Sequence, residues 1–408
     1  MSNVAKPAIM AVATGASEDF EPLFELGGPA FRLMQRVGII KGNGPSIGRR
    51  SIAFIAITWL PLLVFASLEG HAIGPTPRTS FLLDFASYAR FMVAVPLIFA
   101  AEVFVGPRIL GAARRFVQGG LVPESDHAAF MEAANRARRR RDAAVPEIVF
   151  IVAALFGAWF LTVEQLGGLS TSTWHSVLTP DGSRLIAAGV WYNFVAIPLV
   201  QFFLFRWLWR LVIWTLFLRD VAHLRLDLVA THSDASAGLG FLGFAHVSLA
   251  IFPFALSCVF AAEAAFRIEF EGLDLPTLRS MLPLLAAYLV FVELVTFGPL
   301  VILMPMLARV RREFLRDYGT LVQRHNKLFH DKWIGGNRPA DESPLGNPDM
   351  SSLIDLGSSF DVVRGMKLVP VGRGQLMEVA IIACLPGLPL SLLVLPLAEI
   401  VKLLVGII

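Results

Sequence analysis

The stretch RSMLPLLAAYLVFVELVTFGPLVILMPMLAR runs from Arg279 to Arg309 and carries one ordinarily charged side chain between its terminal arginines, that of Glu293. A bilayer core is about 30 Å thick, and a helix needs roughly 20 residues to cross it. The stretch is long enough to cross, with Glu293 near its middle. A charge at that depth costs roughly 2.5–3.5 kcal/mol, which makes Glu293 a functional candidate. A dehydrated site favours the neutral acid, so Glu293 is a candidate for proton exchange or cation binding.

The composition extends this conclusion to the whole chain. Of its 408 residues, 55% are hydrophobic and 16% are charged, whereas soluble proteins carry about 25% charged residues. The net charge of +3 fits membrane topology better than nucleic-acid binding, because no aromatic and basic platform accompanies it. The two cysteines, Cys258 and Cys384, lie in apolar runs and predict no disulfide or metal site. We expect no cleavable signal peptide in the acidic first 30 residues.

Apolar runs predict six membrane spans. They lie at about 51–68, 89–111, 146–163, 186–217, 242–265 and 281–307. Lysine and arginine concentrate in the N-terminal arm and in the even-numbered connections, as in the run Arg138 to Arg141. The positive-inside rule therefore predicts a cytoplasmic N-terminus. Even-numbered spans are expected to continue into the cytoplasm as helices.

A short pattern recurs in the even-numbered spans. Span two contains VAVPL at 93–97, span four VAIPL at 195–199, and span six VFVEL at 290–294, with glutamate in the place of proline. This pattern favours three helical hairpins of the same orientation, although similar apolar segments also arise by chance. Proline breaks a helix, and freed backbone groups must be buried or hydrated. The last apolar run is therefore either a kinked seventh span or a re-entrant hairpin, with three candidate helix-breaking residues: Pro386, Gly387 and Pro389.

The predicted fold is an all-α integral membrane protein with six transmembrane helices in three parallel hairpins, a proline-broken C-terminal segment and cytoplasmic helical extensions. The predicted divisions are a cytoplasmic N-terminal arm (1–50), hairpin 1 with a basic cytoplasmic extension (51–144), hairpin 2 with a glycine-rich cytoplasmic loop (145–240), hairpin 3 with an amphipathic cytoplasmic helix (241–333), a cytoplasmic loop and short helix (334–373) and the apolar tail (374–408).

Three further charged residues within the predicted spans are functional candidates. Glu102 in span two is a second intramembrane acid, nearer the cytoplasmic end, where contact with water is an alternative. Arg206 and Arg210 are spaced i, i+4 and share one helix face, with two tryptophans between them. The tryptophans favour a membrane boundary at which both arginines reach lipid phosphate. The alternative pairs an arginine with Glu102 or Glu293 inside the bundle, or uses it to hold an anion.

A polar, glycine-rich loop at 231–243 precedes span five. Its His232 and Asp234 are candidates for metal binding or proton transfer, but two ligands are too few for a metal site. A loop that caps the next helix is the favoured interpretation. The chain has no P-loop, GxSxG or HExxH motif, so we predict no catalytic residues, no metal and no cofactor.

Residues 231–243, together with SSLIDLGSSFDVVRGMK at 351–367, resemble a group of bacterial multi-pass inner-membrane proteins. The similarity extends from about span three to the C-terminus. It implies location in a bacterial inner (plasma) membrane but no established activity, and it assigns no site residues.

These observations predict a membrane channel or secondary transporter for an ion or small solute. Glu293 and Glu102 would provide proton linkage, with Arg206 and Arg210 as counter-charges. The expected partners are the lipid bilayer, the ion or solute and further copies of the chain, since parallel hairpins can associate around an axis; nucleic acid is not expected. The first alternative is a membrane sensor or scaffold that recruits proteins through helices at about 112–144 and 307–367. The second is a membrane enzyme that uses His232 and Asp234.

Overall fold

The computed structural model describes residues 27–40, 44, 46–168, 173–180, 182–272, 282–337, 339, 342–343 and 346–390. Five of the helices in this part of the chain are long and apolar enough to cross a membrane. A sixth is added when Glu124–Asp142 and Ala144–Phe160, which meet at a 42° bend, are counted together. The all-α class, with several helices long and apolar enough to cross a membrane, is therefore confirmed, whereas the number of spans and the threefold repeat stay predictions.

The described helices are named here in chain order. They are α1 (Pro29–Arg36), α2 (Ile47–Leu68), α3 (Phe85–Gln118), α4 (His127–Asp142), α5 (Ala144–Gly168), α6 (Ala187–Ala222), α7 (Phe241–Glu271), α8 (Leu282–Trp333), α9 (Pro348–Arg364) and α10 (Arg373–Cys384). Short 3-10 turns lie at Pro77–Thr79, Phe81–Leu83 and Glu124–Asp126.

Helices α3 and α6 share an interruption at the recurring proline pattern. Each contains a π-helical segment, Ala89–Ala94 in α3 and Tyr192–Ala196 in α6, and a proline follows two residues later. Proline has no N–H to donate, so the wider winding accommodates the backbone just before it. The corresponding part of α8, around Glu293, has no proline and stays α-helical until a 3-10 segment at Gly298–Leu303. The π-helical segment followed by a proline is thus shared by two of the three predicted repeats.

One end of the bundle carries a small β-hairpin, and we call it the hairpin end. Strand β1 (Ser176–Thr179) pairs antiparallel with β2 (Gly182–Leu185). Trp174, just before β1, packs against Phe81 with ring centroids 4.8 Å apart and donates its indole N–H to Asp84 at 3.0 Å. The opposite end carries α1 and α4, and we call it the basic end because α4 finishes in a run of arginines.

Helix α6 is the central helix of the bundle. It packs against α2, α3, α4 and α5 and against the 3-10 segment of α8. Helix α10 packs against both α7 and α8, so the first part of the predicted apolar tail belongs to the bundle.

Two apolar clusters fill the interior. The cluster nearer the hairpin end includes Phe54, Phe91 and Phe99, and the cluster nearer the basic end includes Phe116 and Trp214. Both are closely packed, and the exposed fraction of each of these five side chains is 5% or less. The region between the two clusters holds the charged residues described below.

Helix α8 continues beyond its apolar part and pairs with α9. Near the far end of α8, the Lys332 ammonium lies 2.8 Å from the Asp349 carboxylate, and near the bundle the Arg311 guanidinium donates to the Arg364 carbonyl at 2.6 Å. The two helices therefore run antiparallel.

The predicted break after α10 coincides with a change of backbone conformation. The α-helix ends at Cys384, and a 3-10 turn at Leu385–Gly387, which contains Pro386, is followed by a turn that contains Pro389. Residues 391–408 lie outside the described residues, so the choice between a seventh span and a re-entrant hairpin stays open.

Candidate functional site

Five charged side chains meet in the interior between the two apolar clusters, and we call them the charged network. They come from four helices: Arg50 from α2, Glu102 from α3, Glu147 from α5, and Arg206 and Arg210 from α6. All five are buried, with exposed fractions of 1–7%. Three arginines and two glutamates give the network a net charge of +1.

Glu102 is the centre of the network. Arg50 forms a hydrogen-bonded ion pair with it through two nitrogens, one of them 3.3 Å from Oε1. Arg210 Nη1 donates to the same Oε1 at 3.1 Å, and Arg206 Nη1 lies 3.7 Å from it. Removing a charge from water costs several kcal/mol, and only close pairing and hydrogen bonds offset that cost. A single carboxylate thus holds three guanidinium groups in the interior.

Arg206 connects Glu102 to a second carboxylate and to the N-terminal helix. Its Nε donates to Glu147 Oε1 at 3.2 Å, and its Nη2 donates to the Gly27 carbonyl at 2.7 Å. The other oxygen of Glu147 accepts the Ala30 N–H at 2.6 Å. Helix α1 is therefore hydrogen-bonded to the network through both a backbone donor and a backbone acceptor.

Two glycines allow this close approach of α1. Gly27 and Gly28 have φ values of 125° and 91°, which side chains of L-residues rarely adopt. A Cβ on Gly28 would lie 2.7 Å from Glu147 Oε1, and one on Gly27 would lie 2.4 Å from Arg141 Nε. The pair Gly27-Gly28 thus fits a position where the backbone conformation disfavours other residues and where a Cβ would displace neighbouring side chains.

Aromatic rings enclose the network. Towards the hairpin end, Phe99 and Phe203 make an edge-to-face contact at 4.8 Å, and the Arg50 guanidinium lies 4.4 Å from the centroid of Phe99. Towards the basic end, Trp207 lies 5.2 Å from the Arg210 guanidinium and donates to the Ile98 carbonyl at 3.1 Å. These contacts favour the cations electrostatically and keep water away.

The structure therefore brings together three of the four predicted pathway residues, Glu102, Arg206 and Arg210. The favoured interpretation of the two arginines, that they reach towards lipid phosphate, was wrong, because both side chains are buried against Glu102. The central position of α6 explains this, since other helices cover the face that carries them.

Glu293 lies apart from the network on α8. Its Oε2 is buried and has no hydrogen-bond partner among the described residues, and the same holds for the Thr296 hydroxyl one turn away. The neighbouring His246 is neutral and fully bonded: Trp214 donates to its Nε2 at 2.8 Å, so Nδ1 carries the proton and donates to the Thr296 carbonyl at 2.6 Å. Glu293 thus presents a buried carboxyl oxygen without a hydrogen-bond partner among the described residues.

Arg50 and Glu147 were not predicted as functional residues from the sequence. Each lies at the end of a predicted span, where a charged side chain ordinarily contacts water or lipid headgroups, so the sequence offered no reason to bury it. The pair Gly27-Gly28 was a usable signal, because adjacent glycines before a helix often mark a close backbone contact.

The loop at 231–243 is held together by Asp234. Its carboxylate accepts the backbone N–H groups of Ser236, Gly238 and Gly240 at 2.8, 3.1 and 2.8 Å, and His232 Nδ1 lies 3.0 Å away. Burial alone would raise the pKa of Asp234, but these hydrogen bonds outweigh it and lower the pKa below its ordinary value. These hydrogen bonds hold the loop itself, whereas the helix that begins at Phe241 has no side-chain cap hydrogen bond. Within the described residues, no group of three or more potential ligands is placed to hold a metal ion.

No protein-family model matches the chain, and neither a curated protein nor a solved structure matches it. The resemblance carried by residues 231–243 and 351–367 therefore stays a prediction, and the argument for function rests on the geometry of this chain.

Proposed function

We propose that the protein is a membrane conduit, a channel or secondary transporter, for an ion or small solute. The observation that carries the proposal is the charged network, which links four helices in a mostly apolar interior. Charges inside a membrane are expensive and typically line or control the path of a solute.

The arrangement corresponds to a closed state. The aromatic rings around Phe99 and Trp207 leave the network with almost no exposure to solvent. Passage of a solute then requires α3 and α6 to separate, which breaks the contacts of Glu102 with Arg206 and Arg210. The network thus acts as the element that holds the conduit closed.

Glu293 supplies the proton linkage in this proposal. Its buried Oε2 has no hydrogen-bond partner among the described residues. A carboxylic acid in a partly dehydrated site is neutral or charged according to small changes in its surroundings. Glu102, in contrast, is held as a carboxylate by three arginines and contributes charge rather than proton exchange.

Flux measurements in liposomes test the proposal. Wild-type protein is expected to carry ions or protons at a rate that depends on pH, and Glu293→Gln is expected to remove the pH dependence. Glu263→Gln is the matched control, because Glu263 is a carboxylate on α7 that pairs with Arg267 at the helix surface. Absence of flux across a broad panel of ions and solutes, with well-folded protein, would contradict the proposal.

A sensor or scaffold is the second candidate, and the antiparallel pair of α8 and α9 favours it. This pair extends well beyond the apolar part of α8 and offers a surface to soluble partners. The candidate predicts stable co-purification of a soluble protein and normal function in Glu293→Gln.

We further propose a bacterial inner-membrane location, a cytoplasmic basic end and a homo-oligomer. Accessibility of cysteines introduced at each end and the particle size in detergent test these points.

A further inference from the structure

A cleft of about 460 Å³ lies at the hairpin end, where the 3-10 turn at Pro77–Thr79 meets the C-terminal end of α7. The turn contributes Arg78 to the lining, and α7 contributes Phe266, Phe270 and Glu271. Binding sites for small molecules usually have volumes of about 300–1,000 Å³ and combine apolar walls with a few polar groups. The volume and the lining of the cleft both fit this description.

Both walls of the cleft are held in place by the rest of the bundle. On one side, the Arg78 carbonyl accepts the Trp174 N–H at 3.0 Å, which fixes the turn against the segment that leads into β1. On the other side, the ring centroids of Phe266 and Phe270 lie 5.1 Å apart, and Phe85 of α3 packs against them at 6.3 and 5.9 Å. A preformed site loses little conformational entropy when it binds a ligand.

One ion pair joins the two sides of the cleft. Arg78 Nε donates to Glu271 Oε1 at 2.7 Å, and Arg78 Nη2 lies 2.5 Å from the same oxygen. The contact uses one carboxylate oxygen, so the second oxygen of Glu271 is available to a ligand. The two side chains are 50% and 28% exposed, and a pair with this exposure contributes little to stability. A ligand that carries both charges can therefore replace the contact at little cost.

We propose that this cleft binds a small α-amino acid with an apolar side chain. The carboxylate of the ligand contacts Arg78, its ammonium group contacts Glu271, and its side chain packs against Phe266 and Phe270. The inference does not depend on the proposed function.

The charges of the cleft select this class of ligand. A purely anionic ligand would meet the like charge of Glu271, and a purely cationic ligand would meet that of Arg78. Because the two side chains are in direct contact, they suit a ligand whose opposite charges are also close together. An α-amino acid meets this condition, since both of its charged groups are attached to one carbon atom.

Isothermal titration calorimetry of the full-length protein in detergent micelles tests the proposal. L-Leucine is expected to bind. L-Leucinamide, which lacks the carboxylate, and isocaproate, which lacks the ammonium group, are each expected to bind roughly tenfold more weakly. Equal binding of the three compounds, or no binding of leucine at millimolar concentrations, would overturn the proposal.

Two substitutions test which side chain contacts which end of the ligand. Arg78→Gln is expected to weaken leucine binding roughly tenfold without weakening leucinamide binding, and Glu271→Gln is expected to weaken leucine binding roughly tenfold without weakening isocaproate binding. Glu263→Gln is the matched control, because Glu263 also belongs to an exposed ion pair on α7 but does not line the cleft. Equal losses for all three compounds in either variant would contradict the assignment.

Glycerophosphoethanolamine distinguishes a free amino acid from a lipid headgroup. This compound is the headgroup of phosphatidylethanolamine, and its two charges lie farther apart and carry no apolar side chain. It is expected to bind more weakly than leucine. Tighter binding of glycerophosphoethanolamine would assign the cleft to a membrane lipid and refute the proposal.

Discussion

Replacing Glu102 by glutamine tests the charged network directly. The change preserves the shape of the side chain but removes the negative charge that Arg50, Arg206 and Arg210 share, so the net charge of the network rises from +1 to +2. Removing one partner of a buried ion pair typically costs 3–5 kcal/mol, because the remaining charge is left without compensation. Since three cations share this carboxylate, we expect Glu102→Gln to lower the free energy of unfolding by at least about 3 kcal/mol.

The assay is unfolding by sodium dodecyl sulfate in mild detergent micelles, followed by the fluorescence of the eight tryptophans. Glu263→Gln serves as the control, since an exposed pair such as Glu263 and Arg267 contributes about 0–1 kcal/mol. A double-mutant cycle isolates the pairwise energy. The combination of Glu102→Gln with Arg210→Met returns the network to +1 and is expected to be less destabilising than the sum of the single changes by about 1–3 kcal/mol.

A loss of less than about 0.5 kcal/mol in Glu102→Gln, which is the usual range for surface substitutions, would refute this reasoning. Additive effects in the double variant would refute it separately. They would mean that Glu102 and Arg210 do not interact in the folded protein.

Three further predictions concern two glycines and the loop at 231–243. Gly28→Ala is expected to lower the free energy of unfolding by about 1–3 kcal/mol and to speed proteolysis near α1. Gly38→Ala is the control: Gly38 has a similar φ, but no atom lies within 4 Å of an added Cβ, so both effects should be smaller. Gly243→Ala places a Cβ 2.5 Å from a backbone carbonyl and is expected to cost about 1–3 kcal/mol in the same unfolding titration; Gly374→Ala, where the space is open, should cost much less. The pKa of Asp234 is lower in the folded protein than its ordinary value of 3.8, so the ionised carboxylate stabilises the fold at pH values above 3.8. This contribution is lost as the pH falls through the pKa of the folded protein. Asp234→Asn is therefore expected to be destabilised at neutral pH, and its difference from wild type should shrink below about pH 4; a difference independent of pH would contradict the assignment.

The apolar spans were predictable because their chemistry is local. A run such as 281–307 must be buried in lipid or protein wherever it lies in the fold, so the sequence alone assigned it to a membrane helix. The interruption at Pro96 and Pro198 was not predicted, although its cause is local, since each proline disturbs the backbone of its own helix. The exact winding, a π segment in each case, depends on packing and was not predictable.

The charged network was only half predictable, because burial of a charge is a tertiary property. Arg206 and Arg210, flanked by tryptophans, have the same local pattern as residues at a membrane boundary. Arg50 and Glu147 lie at helix ends, where water ordinarily satisfies them. Only the position of α6 among its neighbours decides that these side chains face one another. Glu293 had the stronger sequence signal and proved to be outside the network.

The contacts of Arg206 connect the N-terminal helix to the closed state of the proposed conduit. This one guanidinium contacts Glu102, Glu147 and the Gly27 carbonyl, so movement of α6 away from α3 also pulls on the hydrogen bonds that hold α1. Conversely, release of α1 removes the backbone partners of Arg206 and Glu147 and leaves the buried pair less well compensated. Because an incompletely bonded buried charge is costly, detachment of α1 and opening of the network favour each other.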